Sequence, residues 1–269
     1  PKIEQFWLSY IDALIKLGQF DGARQVLGQA QQQVPTSGAF LGLEERLSSK
    51  LKDETNNFYP AQEELNNLSQ CYQAKQYDEA ERLALAMTKE FPKYPFGWKV
   101  LGAIFGQTDR SDEALNANKK ASELMPGDAE AHSNLGATLK DLHRFEDAEV
   151  SLRKAIELEP HYAAAHYNLA NTFKELQKFS EAEISYLRVI ELNPNHVKAY
   201  NNLGVILQEL GKADDAEVTL RKAIELQPDY AVAHYNLGNT LNEINKLEEA
   251  EASFRQAIKL KADLVESHY

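Results

Sequence analysis

Apolar residues along this chain fall on helical spacing almost from end to end. Trp98, Leu101, Gly102 and Phe105 sit at i, i+3, i+4 and i+7, one face of an α-helix. Phe145, Ala148, Leu152 and Ala155 form a second stripe of the same kind. Short polar turns such as Leu210-Gly211-Lys212 separate one stripe from the next. The pattern predicts antiparallel helix pairs.

The pairs recur. Pro92, Pro126, Pro160, Pro194 and Pro228 each follow the last by 34 residues. Taking each proline as position 32 defines units 61–94, 95–128, 129–162, 163–196, 197–230 and 231–264. Position 20 is alanine in all of them: Ala80, Ala114, Ala148, Ala182, Ala216 and Ala250. From the second unit on, position 7 is Leu101, Leu135, Leu169, Leu203 and Leu237, and position 8 is Gly102, Gly136, Ala170, Gly204 and Gly238. Small residues let two helix backbones approach, and proline ends the second helix because it lacks the N–H that would continue the ladder. Each hairpin leaves apolar surface that only a neighbour can cover, so the units stack. The expected fold is an all-α, right-handed superhelical solenoid, with turns near positions 15–16.

Upstream the register changes. The unit 61–94 has Glu64 and Asn67 where packing residues would sit, so Leu65, Leu68 and Tyr72 are expected to replace them. An isolated hairpin, out of phase with the rest, fits at 4–37 within an N-terminal segment 1–37. Residues 38–60 read as a helix carrying Phe40, Leu43, Leu47 and Leu51, followed by a polar hinge at 52–57. The tandem array is assigned to 61–269. Val265 to Tyr269 matches the opening of a further repeat, which marks the chain as a fragment of a longer protein with an uncapped C-terminal end. Self-association through Phe254, Ala257, Ile258 and Leu260 is expected there.

Charge and composition narrow the function. A net charge of -12 and a pI near 5.1 disfavour nucleic acid. A mean hydropathy of -0.50 and the lack of a long apolar run exclude a membrane span. Cys71 is the only cysteine, which fits a reducing, cytoplasmic setting and rules out an internal disulfide.

The candidate site lies on the first helix of each unit. Position 6 is Asn134, Asn168, Asn202 and Asn236. It lies about 200° around the helix from the packing position 8, and so faces away from the hairpin's own core. Position 13, on the same stripe, is always acidic: Asp141, Glu175, Glu209 and Glu243. Asn171 and Asn239, at position 9, join them. Asparagine costs roughly half a kcal/mol relative to alanine in a helix interior. Its amide, however, pairs with both polar groups of a peptide backbone. These ten residues are therefore the predicted peptide-binding set. Val100 breaks the asparagine row in unit 95–128. His132, His166, His234 and His268 fall at position 4, in the packing stripe, and successive repeats hold them too far apart to share a metal. Cys71 reads as a packing thiol. No phosphate-binding loop, paired-cysteine motif or catalytic triad is present, so neither cofactor, metal nor enzymatic activity is expected of this chain.

The 34-residue period and its fixed small and large positions resemble the tetratricopeptide family over roughly three quarters of the chain. Asparagines lining an inner face are similar to the repeat superhelix of O-GlcNAc transferases and related bacterial proteins. That resemblance implies a groove that docks protein or extended peptide, joined to a transferase domain outside this chain. A stand-alone scaffold is the alternative. A chaperone-type adaptor is disfavoured, because only Lys198 is basic at the positions that grip an acidic tail.

Overall fold

The computed structural model describes residues 2–17, 19–33, 39–48 and 59–266. Every regular element among them is a helix: α1 (Lys2–Lys16), α2 (Phe20–Gln33), α3 (39–48), α4 (Gln62–Gln73), α5 (Tyr77–Glu90), α6 (Pro95–Gln107), α7 (Ser111–Leu124), α8 (Ala129–Asp141), α9 (Phe145–Leu158), α10 (Ala163–Glu175), α11 (Phe179–Leu192), α12 (Val197–Glu209), α13 (Ala213–Leu226), α14 (Ala231–Glu243) and α15 (Leu247–Glu266). The chain divides into two compact units, Pro1–Gly97 and Trp98–Tyr269. That division falls inside α6, whereas the apolar pattern placed one between 60 and 61.

In the first unit, Ile11, Leu14 and Ile15 of α1 and Ala23, Leu27 and Ala30 of α2 form one apolar cluster with Phe40, Leu43 and Leu47 of α3. The third helix covers the hairpin, as its spacing predicted. Arg46 on α3 reaches Asp12 on α1 at 2.9 Å. Leu51 and the run 52–57 lie outside the described residues. In α4, Leu68 and Cys71 are buried, with Leu65 and Tyr72 half-buried beside them.

The second unit is built from hairpins whose close approach depends on position 8. A methyl group on Gly136 would lie 2.5 Å from Leu152 Cγ, and one on Gly204 2.5 Å from Leu220 Cγ. Position 8 therefore seats position 24 of the same unit, and a fully buried leucine there contributes about 2–3 kcal/mol. In unit 163–196 Ala170 takes the small position and Tyr186 the large one, both within the apolar core. The alanines at position 20 are fully buried in α7, α9, α11 and α13.

Each hairpin turns at position 15, where the backbone is left-handed: φ is +57° at Lys75, +56° at Asp109, +58° at His143, +55° at Gln177, +71° at Gly211 and +62° at Asn245. Successive hairpins are pinned by ion pairs from position 21 to position 16 of the next unit. They join Glu149 to Lys178 at 2.7 Å, Glu183 to Lys212 at 2.8 Å and Glu217 to Lys246 at 2.7 Å. The position-4 histidines close the joints between units. Nε2–H of His132, His166 and His234 donates to the carbonyls of Pro126, Pro160 and Pro228 at 3.1, 3.0 and 2.9 Å.

One difference from the sequence reading stands at the end. Where earlier units carry proline at position 32, unit 231–264 has Ala262, and α15 continues unbroken to Glu266. No turn sets off a further repeat before 265. Beside it, Ala231, Val232, Tyr235, Phe254, Ala257 and Ile258 line an open hollow of about 720 Å³.

Candidate functional site

The first helices of units 129–264 are α8, α10, α12 and α14. All six predicted asparagines are half-buried on them, and all four predicted acids are exposed at their last residue. The amides nevertheless divide into two kinds. Asn202 Nδ2 has only two hydrogens, yet three oxygens surround it: Asn171 Oδ1 at 3.2 Å, Tyr167 Oη at 3.3 Å and Tyr186 Oη at 3.4 Å. Its Oδ1 accepts from Asn201 Nδ2 at 3.1 Å. Asn236 donates to Asn201 Oδ1 at 2.8 Å, and Tyr186 donates to Asn171 Oδ1 at 2.6 Å. This network runs along α10, α12 and α14 and ties Asn171, Asn202 and Asn236 into the protein itself. Burial pushes the Tyr186 phenol above its ordinary pKa, outweighing the opposing effect of the Asn202 bond.

The amide groups of Asn134, Asn168 and Asn239, in contrast, have no hydrogen-bond partner among the described residues. The reason lies in the preceding unit. Asn202 meets Tyr167, Asn171 and Tyr186 from positions 5, 9 and 24. At the same three positions Asn168 has Ser133, Ala137 and Leu152, and Asn134 has Lys99, Ala103 and Asn118. Lys99 is held at 2.9 Å by Asp128 and also pairs with Glu130. The asparagine row is therefore mixed, with Asn134, Asn168 and Asn239 open and Asn171, Asn202 and Asn236 engaged. Val100, the predicted break, is buried.

The acids divide as well. Lys140 lies 2.9 Å from Asp141, and Lys174 lies 3.4 Å from Glu175. Gln208 and Asn242 take the lysine's place before Glu209 and Glu243. The ends of α8 and α10 frame a hollow of about 370 Å³ that brings Asp141, Asn171 and Glu175 together with Lys140, His143, Phe145 and Lys174. A second hollow, of about 590 Å³, is lined by Ile156, Leu169, Phe173, Ile184, Arg153 and Arg188 and gathers none of the predicted residues. Sequence reasoning missed Tyr167, Tyr186 and Asn201. The signal was available: a tyrosine or asparagine at position 5 of the preceding unit, Tyr167 for Asn202 and Asn201 for Asn236, marks an asparagine that is engaged.

This fold and this repeated face define a tetratricopeptide repeat protein. Family models for the tetratricopeptide repeat match residues 129–162, 163–196 and 195–263, together half of the chain, and the chain belongs to that family. No curated protein sequence matches it significantly. Among solved structures it is similar to MamA, at 26% identity and a TM-score of 0.57, covering 62% of this chain and 97% of that one. A MamA chain from Desulfovibrio magneticus aligns at 19% identity and a TM-score of 0.57, covering 62% and 94%. YrrB, described as a tetratricopeptide protein with an unusual peptide-binding site, aligns at 23% identity and a TM-score of 0.56, covering 67% and 93%. No helix among the described residues is long and apolar enough to cross a membrane.

Proposed function

We propose that the face formed by α8, α10, α12 and α14 docks an extended protein segment, and that this chain acts as a binding module. One observation carries the reading. Asn134 and Asn168 hold unpartnered amides on a half-buried face, at helix positions where asparagine is unfavourable unless something uses it. A neutral hydrogen bond contributes about 0.5–1.5 kcal/mol net, so a few such amides bind weakly and with little sequence preference. Weak docking suffices where a tether or a second contact raises the effective concentration. The resemblance to O-GlcNAc transferase repeats would extend this to holding substrates for an attached transferase. It rests on the asparagine row, which is now only partly open, and the relatives reported above lend it no support. A stand-alone scaffold uses the same groove.

The test is the double variant Asn134→Ala, Asn168→Ala, with binding of a labelled serine–alanine peptide read by fluorescence anisotropy. A loss of about tenfold is expected. A folded variant that binds undiminished would reduce the face to a wetted surface.

A second reading has its own observation. Ile258 is 70% exposed on α15, beside Val232 and Tyr235, whereas its counterpart Ile224 on α13 packs against α14-side residues of the core. Self-association through that surface should appear in sedimentation and disappear in Ile258→Glu. A monomer at millimolar concentration removes it.

A further inference from the structure

All four first helices end on an acid: α8 at Asp141, α10 at Glu175, α12 at Glu209 and α14 at Glu243. A helix C-terminus already carries partial negative charge, so a carboxylate there is misplaced for stability. In α8 and α10 a lysine in the last turn relieves it. In α12 and α14 the last turn has no basic residue, and neither Glu209 nor Glu243 makes an ion pair among the described residues. The lysines after these helices are engaged elsewhere, Lys212 with Glu183 and Lys246 with Glu217. Lys198 shares the face of Glu209 but stands eleven residues away, about 16 Å along the axis.

The position-6 amides run the opposite way. Asn134 and Asn168 are open where the acids are neutralised, and Asn202 and Asn236 are tied where the acids are bare. At position 9 the order reverses, Asn171 being tied and Asn239 open. Asn239 lies four residues before Glu243 on the same helix face, with an amide oxygen free to join that carboxylate around a cation.

We infer that the groove has a direction: it takes an extended segment whose neutral stretch lies along Asn134 and Asn168 and whose lysine or arginine side chains reach Glu209 and Glu243. The inference rests on the docking reading and adds the chemistry of the partner. Asparagine reads the backbone at one end, where side-chain charge gains nothing. Carboxylate reads charge at the other, where both asparagine amides of α12 are engaged. The two misplaced acids are retained at some cost to the helices because a cation completes them.

The experiment compares the serine–alanine peptide with the same peptide carrying two lysines at one terminus, on the intact chain. The lysine peptide should bind about two- to tenfold more tightly at low salt, and the preference should shrink at high salt. In Glu209→Gln, Glu243→Gln the preference should vanish, while the melting temperature holds or rises because two misplaced charges are gone. Asp141→Asn, Glu175→Gln should keep the preference. If the Glu209/Glu243 variant still prefers lysine, or the Asp141/Glu175 variant alone loses it, the direction is wrong. If the parent binds both peptides equally, the inference falls and the docking reading stands. If neither peptide binds at millimolar concentration, both fall.

Discussion

Two joints in the second unit, built from the same repeat, are held in different ways. Where α12 packs on the hairpin α10–α11, position 24 is Tyr186, whose hydroxyl donates to Asn171 and accepts from Asn202. Where α8 packs on the hairpin α6–α7, position 24 is Asn118, which is 2% exposed; it donates to Thr138 Oγ1 at 2.9 Å and leaves its own Oδ1 without a partner. The later joint has an ion pair at positions 21 and 16, Glu183 with Lys212; the earlier has Leu115 and Arg144 there and pairs Lys99 with Glu130 instead. Both place a polar side chain where other units bury leucine, but only one leaves none of its polar atoms without a partner. The asparagine at position 6 follows suit, tied at the later joint as Asn202 and open at the earlier as Asn134. A repeat position therefore fixes where a side chain points, and the neighbouring unit fixes what it does.

The largest expected effect is at the satisfied joint. Asn202→Ala strands the buried Asn201 amide and removes a donor from Tyr167 and Tyr186, so it should cost about 2 kcal/mol in urea unfolding. A helix-propensity argument alone would predict a gain. An unchanged midpoint would mean the network is incidental. Next comes the unsatisfied joint. Asn118→Leu replaces an orphaned carbonyl with the residue that packs opposite glycine at Leu152 and Leu220, and should stabilise by about 1 kcal/mol. A loss would show that the Thr138 bond outweighs the orphan.

Acid should loosen only the joints that carry ion pairs. Hydrogen bonding from Lys246 holds Glu217 below the ordinary 4.5, and at Glu149 the bonds from Lys178 and Arg153 outweigh the upward push of burial. A depressed carboxyl stabilises the fold above its unfolded pKa and loses that contribution as pH falls through the folded one. Glu217→Gln should cost roughly 0.5–1 kcal/mol at pH 7, and the gap from the parent should close below about pH 4. The smallest effect belongs to Asn134→Ala, which should gain at most about 0.5 kcal/mol because nothing in the protein uses that amide.

Much of this fold was legible in the residues. Period, helix pairing and the seating of position 24 in position 8 follow from side-chain size at fixed offsets, as at Gly136 and Leu152. The left-handed turn residue was legible at Gly211 and, through the tolerance of Asp and Asn for that region, at Asp109 and Asn245. Lys75, His143 and Gln177 adopt the same conformation because the packed hairpin imposes it against their own preference. The continuation of α15 could be traced to Ala262, a missing proline. The candidate site was legible in position but not in state. Hydrogen bonds between Asn202 and Tyr186 join residues of different units, and one repeat read alone does not contain them.

The four position-6 asparagines are identical in sequence and differ in work, two of them open for a partner and two closed. Side-chain amide NMR on the intact chain tests it directly, with the serine–alanine peptide titrated in. The amide resonances of Asn134 and Asn168 should shift with added peptide while those of Asn202 and Asn236 stay in place. Shifts centred on Asn202 and Asn236, or none at Asn134 and Asn168 while the peptide binds, would contradict it.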